Sequence, residues 1–206
     1  MEHPHVVTMG RNGKESNLLA TPEILAKAGI LYHETNRGGD VTYHGPGQIV
    51  GYPIFDLRGW KKDVGAYVRA VEEALIRVLA QYGVVAGREA GMTGVWVNRA
   101  KVAAIGIHIS RWVSSHGFAL NHAPDLSYFG YIVPCGLSLP VTSMQALGIE
   151  TTRAEVVIWR DCERFWRGVC IRLGAIWTGA VSEAISSAAV DHCCSRIRLK
   201  KREKQR

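Results

Sequence analysis

Two stretches carry residues that could do chemistry. Pro134-Cys135-Gly136 sets a thiol between two turn-forming residues, where its sulfur can face a cleft. A thiol attacks only as thiolate, and its free pKa of about 8.5 makes activation by a cation, a base or backbone dipoles necessary. No cation lies within several residues of Cys135, so local sequence leaves two readings open, a nucleophile and a small turn cysteine. The second stretch is Arg37-Gly38-Gly39-Asp40-Val41-Thr42-Tyr43-His44-Gly45-Pro46-Gly47-Gln48. Its glycines and proline cannot continue a helix, so it is read as a loop. The loop also carries an arginine, a threonine, a tyrosine and a histidine, groups that a turn does not need and a ligand uses. Gly38-Gly39 lets the backbone approach a ligand closely with its amides exposed; a plain hairpin connection is the other reading. His108 and His116 are candidate bases for a Cys-His hydrolase. No histidines have the partners or spacing of a metal site, and neither metal nor cofactor is expected.

The elements that must position these residues are legible in outline. Residues 5–9 read as a strand and 10–13 as a turn. Thr21 as cap, Pro22 in the first turn and Gly29 as terminator predict a short helix. Residues 29–36 then lead as a strand into the glycine-rich loop, and 48–57 are apolar enough for a buried strand. A helix is predicted over 61–82, where Val64, Val68, Val71, Leu75, Val78 and Leu79 recur at helical period and Gly83 closes it. Short strands follow at 84–85 and 94–98. Residues 98–101 form a turn that places Lys101 at a hairpin tip, and strands at 102–110 and 117–121 come next. Strands in succession without intervening helices predict an α/β domain of the α+β type with a mixed or antiparallel sheet. Thr152 and Glu155 form a capping box that starts a last helix to Gly174, with Cys162 and Cys170 in its apolar stripe.

Composition is that of a globular chain, 47% hydrophobic and 21% charged over 206 residues. The net charge of +7 is localised: residues 196–206 hold seven Lys or Arg and one Glu, a net +6, which leaves the rest near neutral. With no aromatic residues interleaved, this tail does not read as a nucleic-acid site. Five cysteines without a CxxC exclude a disulfide framework or a zinc ribbon. No apolar run is long enough to span a bilayer and no signal-peptide pattern opens the chain, so a cytoplasmic protein is expected.

The 37–48 run, continued by Tyr52-Pro53, resembles the signature of the lipoyl(octanoyl) transferases. Three more blocks stand in that family's order: Gly94 to Val97 leading to Lys101-Val102-Ala103-Ala104-Ile105-Gly106, His116 to Asn121, and Pro134-Cys135-Gly136. The resemblance implies a fold similar to the biotin/lipoate protein ligase catalytic domain, with Cys135 as acyl-carrying nucleophile and Lys101 as its partner. It also implies substrate contacts from Arg37, Gly38, Gly39, Asp40, Val41, Thr42, Tyr43 and His44, from Ala104, Ile105 and Gly106, and from Gly117, Phe118 and Ala119. Lys101 can act as an ammonium that favours thiolate or as a neutral amine that takes the proton. Val41, Ile105, Gly106, Phe118 and Ala119 are the expected walls of the acyl slot, with Tyr43 and His44 orienting groups near the thioester.

The reaction the resemblance implies takes octanoyl from acyl carrier protein onto Cys135 and then to a lysine of a lipoyl domain, in lipoate cofactor biosynthesis. Expected acceptors are the lipoyl domains of 2-oxoacid dehydrogenase complexes and the glycine cleavage H protein; no nucleic acid and no membrane are involved. The alternatives are an ATP-dependent lipoate or biotin-type protein ligase and a non-catalytic acyl-binding protein. Against the first stands the thiol, which adenylate chemistry does not need; against the second, the presence of both Lys101 and Cys135. The expected organisation is one catalytic domain over 1–178, short at its start relative to the family, and a basic extension over 179–206.

Overall fold

The computed structural model describes residues 1–134 and 139–156. Two sheets organise them. The smaller has the order β2-β1-β3, with β1 (Val6–Met9) parallel to β2 (Leu31–Glu34) and antiparallel to β3 (Thr42–His44). The larger has the order β4-β8-β7-β6-β5 and is antiparallel throughout, built from β4 (Gln48–Gly51), β5 (Gly87–Glu89), β6 (Met92–Val97), β7 (Ala100–Ser110) and β8 (Val113–Asn121). Two helices complete the set, α1 (Pro22–Lys27) and α2 (Val64–Gln81). None is long and apolar enough to cross a membrane among the described residues. The predicted helix from Thr152 lies mostly outside the described residues, although its capping box forms: the Thr152 amide donates to Glu155 Oε2 at 2.7 Å.

Helix α2 covers one face of the large sheet. Asp63 caps it by accepting from the Ala66 amide at 2.9 Å, and Gly83 at φ +74° lets the chain leave. The buried stripe is Tyr67, Ala70, Val71, Ala74, Leu75, Val78 and Leu79, packed on Val95, Val97, Val102, Ala103 and Leu120. The stripe expected from sequence is thus rotated at its start: Val64 is exposed and Tyr67 takes the inward position, its hydroxyl donating to Pro53 O at 2.6 Å. Each fully buried Leu or Val here contributes about 1.5–3 kcal/mol. Glu72 is buried in the same face, accepting from the Gly94 amide at 3.1 Å and from Arg69 and Arg88 at 2.7 and 3.0 Å. This carboxylate ties the helix to the β5–β6 hairpin.

Four expectations need correction. The strand predicted over 48–57 stops at Gly51, because Pro53 has no amide to donate; the chain rejoins the sheet at Asp56, bridged to Val113. Residues 84–85 form no strand, since Val85 projects into solvent and pairing begins at Gly87. Residues 37–48 are not all loop, for Thr42 to His44 pair with β1. Finally, the turn before β7 is only Asn98-Arg99, at φ +48° and +64°, a two-residue hairpin whose twist suits the strands. Lys101 is therefore inside a strand, not at a hairpin tip, and is 7% exposed.

Candidate active site

Strand β3 shows how alternation builds the site. Pairing with β1 sets Val7 opposite Tyr43 and Thr8 opposite Thr42. Val7, Val41 and Tyr43 then point into the core formed with α1 and residues 126–132, while Thr8, Thr42 and His44 point the other way. That other side is a cavity of about 320 Å³ between the two sheets. Small residues floor it, with Ala104 paired to Ala119 and Gly106 to Gly117 across β7 and β8. A Cβ on Gly106 would meet Gly38 O at 2.8 Å, and one on Gly117 would meet Gly51 O at 2.1 Å. Neither position has room for a side chain, which is how the loop and β4 close over the hairpin.

The cavity brings together Arg37, Gly38, Gly39, Asp40, Thr42, His44, Ala104, Ile105, Gly106, Gly117, Phe118 and Ala119, all singled out from sequence. Val41 and Tyr43 are not on it. Both are fully buried in the core, Val41 just before β3 and Tyr43 on its opposite face, where the Tyr43 ring stacks 5.3 Å from Tyr128 and its hydroxyl bonds His5 Nδ1 at 2.8 Å. Burial holds the Tyr43 phenol well above its ordinary pKa. Sequence reasoning missed Thr8, His33, Thr35 and Val50, which reach the cavity from β1, β2, the segment after it and β4. The alternation of β1 was the one signal for Thr8; His33 and Thr35 gave none, because β2 is exposed along its whole length.

Arg37 and Asp40 hold the loop. Arg37 is 8% exposed and donates from Nη2 to Thr8 O at 2.6 Å, from Nε to Thr8 Oγ1 at 3.1 Å and from Nη1 to Gly38 O at 3.2 Å. Asp40 accepts from the amides of Lys14 and Val41 at 3.0 and 2.7 Å and from the Asn17 side chain. Across the hairpin the Gly38 amide donates to Ile107 O at 2.8 Å. The loop is thereby fixed over the floor from both ends.

A polar chain leads inward from His44. Its Nδ1–H donates to Gln48 Oε1 at 3.1 Å; Gln48 Nε2 donates to Tyr43 O and to Asn121 Oδ1 at 3.1 and 3.0 Å; Asn121 Nδ2 donates to Thr142 O at 2.9 Å. Burial pushes the His44 ring down to about 4, opposed in part by the Gln48 bond, with the Arg37 and His3 charges acting with burial. His44 is neutral at pH 7.

Lys101 stands at the far end of that chain. A small cavity beside it is lined by Thr42, Gln48, Lys101, Ala104, Asn121, Phe129, Pro134 and Val141, and it adjoins the large one through Thr42 and Ala104. Residues 140–142 run parallel past Lys101, whose amide donates to Pro140 O and whose carbonyl accepts from Thr142, both at 2.9 Å. Its Nζ lies 4.6 Å from the centroid of the Trp96 ring, a cation–π distance. Cys135 lies outside the described residues; Pro134, the residue before it, lines the small cavity with Lys101. His116 lines the large cavity, and His108 borders a separate hollow with Arg11 and Asn12. Neither borders the Lys101 cavity. No group of three or more ligating side chains that could hold a metal occurs among the described residues.

The fold can now be placed. A chain in the solved structure of the bi-partite lipoate protein ligase and its E2 lipoyl domain from Thermoplasma acidophilum superposes with a TM-score of 0.61 over 81% of this chain and 69% of that one, at 16% identity. The architecture is that of a lipoate-ligase catalytic domain. Sequence comparison goes further. The lipoyl protein ligase A/B catalytic domain family matches residues 1–160. The octanoyltransferase of Solibacter usitatus is 67% identical over 156 residues, covering 76% of this chain and 71% of that protein. That of Koribacter versatilis is 57% identical over 164 residues, covering 76% and 65%. The chain belongs to the lipoyl protein ligase A/B catalytic domain family and, within it, to the octanoyltransferases.

Proposed function

We propose that this protein transfers an octanoyl group from acyl carrier protein to the ε-amine of a lysine on a lipoyl domain, by way of a thioester on Cys135. The observation that carries the reading is Lys101: a lysine buried inside a strand, in the same small cavity as Pro134 and next to an apolar-floored slot. Burying a lysine is costly, and such a cost is a mark of function rather than of packing.

In the first step the Cys135 sulfur attacks the donor thioester carbonyl. A C–S bond forms to Cys135, the bond to the carrier sulfur breaks, and the carrier leaves as its thiol with the proton given up by Cys135. In the second the acceptor amine attacks the Cys135 thioester; a C–N bond forms, the C–S bond breaks, and the proton lost by the amine returns to sulfur through Lys101. The slot between the sheets takes the acyl chain, and His44, neutral and held by Gln48, orients its carbonyl end. Acceptors are lipoyl domains of 2-oxoacid dehydrogenase complexes and the glycine cleavage H protein. Residues 1–178 carry the activity and 179–206 form a basic extension. The reaction belongs in the cytoplasm, where a free Cys135 thiol stays reduced.

Intact mass after mixing the protein with octanoyl-acyl carrier protein tests this. The expected result is a gain of one octanoyl group, absent in Cys135→Ala and released by a lipoyl domain that becomes octanoylated. No adduct with the carrier, but octanoylation of the lipoyl domain from free octanoate and ATP, would replace the reading with a ligase.

A further inference from the structure

Gln48 and Asn121 are buried side-chain amides, and the direction of each is fixed by a backbone carbonyl. Such a carbonyl oxygen can only accept, so the atom of Asn121 that faces Thr142 O at 2.9 Å is its Nδ2. Thr142 is itself held, its amide donating to Lys101 O at 2.9 Å. Asn121 Oδ1 is then the atom turned to Gln48, 3.0 Å away. Tyr43 O, 3.1 Å from the same Gln48 nitrogen, makes a second and independent demand for an N–H there. Reversing Gln48 would set its oxygen against two other oxygens away from water, so Nε2 faces them and Oε1 faces His44.

The same logic reaches the imidazole. Gln48 Oε1 lies 3.1 Å from His44 Nδ1 and has no proton to give, so Nδ1 carries the hydrogen. A ring that burial keeps neutral holds a single N–H, and Nε2 is left with a bare lone pair. His44 lines the cavity between the sheets and Gln48 does not, so the ring stands between them with Nδ1 toward Gln48 and Nε2 toward the cavity. Nε2 has no hydrogen-bond partner among the described residues. In water a neutral histidine carries its hydrogen mostly on Nε2; here the Gln48 bond sets the opposite.

We propose that Gln48 and Asn121 are positioning residues that lock His44 with its Nε2 lone pair in the cavity, where it accepts a hydrogen bond from an N–H of the substrate. This rests on the octanoyl-transfer reading for the substrate, and on the amide network for the lock. A lone pair repels a carbonyl oxygen, so His44 orients the carbonyl end of the acyl chain through an N–H group beside it. Two such groups reach that end during transfer: the attacking amine of the acceptor lysine, and the amide N–H of the carrier's thioester arm.

Nitrogen-15 correlation spectra of histidine-labelled protein at neutral pH read the tautomer directly, with the His44 signals assigned by their loss in His44→Leu. The wild type should show His44 protonated at Nδ1 and bare at Nε2. In Gln48→Met, whose side chain has nearly the same length and no oxygen, the hydrogen should move to Nε2. Hydrogen on Nε2 in the wild type, or on Nδ1 in both proteins, overturns the lock. Single-turnover rates then separate the two N–H groups. Mass gain from octanoyl-acyl carrier protein follows the first half-reaction, and loss of that octanoyl to a lipoyl domain follows the second. His44→Leu and Gln48→Met should each slow the same half-reaction about tenfold, the worth of one hydrogen bond. Slowing of the second assigns the contact to the acceptor amine, and slowing of the first to the carrier amide. Because Gln48 acts through His44, Gln48→Met should cost nothing further in the His44→Leu background. Additive losses would make Gln48 merely structural, and unchanged rates in both single variants overturn the contact. A wild type that shows the Nδ1–H tautomer but transfers no octanoyl keeps the lock and removes the transferase reading.

Discussion

At the scale of single residues, the site is made of side chains whose ordinary behaviour burial has changed. His44 has the largest consequence. Its ring titrates near 6.5 in an unfolded chain and at about 4 in the fold, so the folded state prefers the neutral form. The resulting stability is fully present above pH 6.5 and is lost as pH falls toward 4, on the order of 3 kcal/mol in all. Denaturant midpoints measured from pH 7 to 4 should fall more steeply for the wild type than for His44→Gln; parallel curves would show that the ring is solvated. Lys101 is the second case. Strand β7 begins one residue before it, residues 140–142 cover it, and the Trp96 face lies beneath it, an arrangement that takes the ammonium end out of water while giving it an attractive partner.

At the scale of elements, the Lys101 bed depends on how the β5–β6 hairpin is held to helix α2. Glu72 makes that connection from a fully buried position, and the Gly94 amide it accepts lies on the strand under the Lys101 side chain; a Cβ on Gly94 would stand 3.4 Å from Lys101 Cε. Glu72→Ala leaves that amide without an acceptor and Arg88 without its buried partner. The expected loss is about 3 kcal/mol, roughly 5–10 °C in Tm for a chain of this size, together with loss of transfer activity. Lys61→Ala, which removes the exposed pair with Asp63, should cost under about 0.5 kcal/mol and serves as the comparison in the same thermal scan. Equal effects would mean that Glu72 is solvated in the folded protein.

At the scale of the whole molecule, charge is segregated: residues 196–206 carry a net +6 of the chain's +7. A basic segment raises encounter rates with acidic partners by an amount that salt screens. Removing residues 196–206 should lower the transfer rate at low ionic strength and leave it unchanged at high; equal rates at both would exclude steering. Much of the rest was legible without coordinates. The non-helical character of residues 37–41 and 45–47, the extent of α2, the succession of antiparallel strands and the clustering of Arg37 to Asp40 with Ala104 to Gly106 and Gly117 to Ala119 follow from glycine and proline content, from apolar period and from family motifs. Those are properties of short windows or of whole motifs, and a sequence states them directly. Pairing decided the remainder. An alternating strand such as Thr42 to His44 offers two faces, and only its register against β1 turned Thr42 and His44 to the cavity and Tyr43 to the core. A lysine beside a turn reads as exposed until a segment 40 residues later folds against it, and the burial of Glu72 depends on a hairpin that arrives with an amide to donate. The sequence by itself determined which local structures are possible and which residues carry chemistry. Which face of each strand is buried and which residues from separate strands line the cavity were decided by the tertiary structure, because those depend on the contacts of residues far apart in the chain.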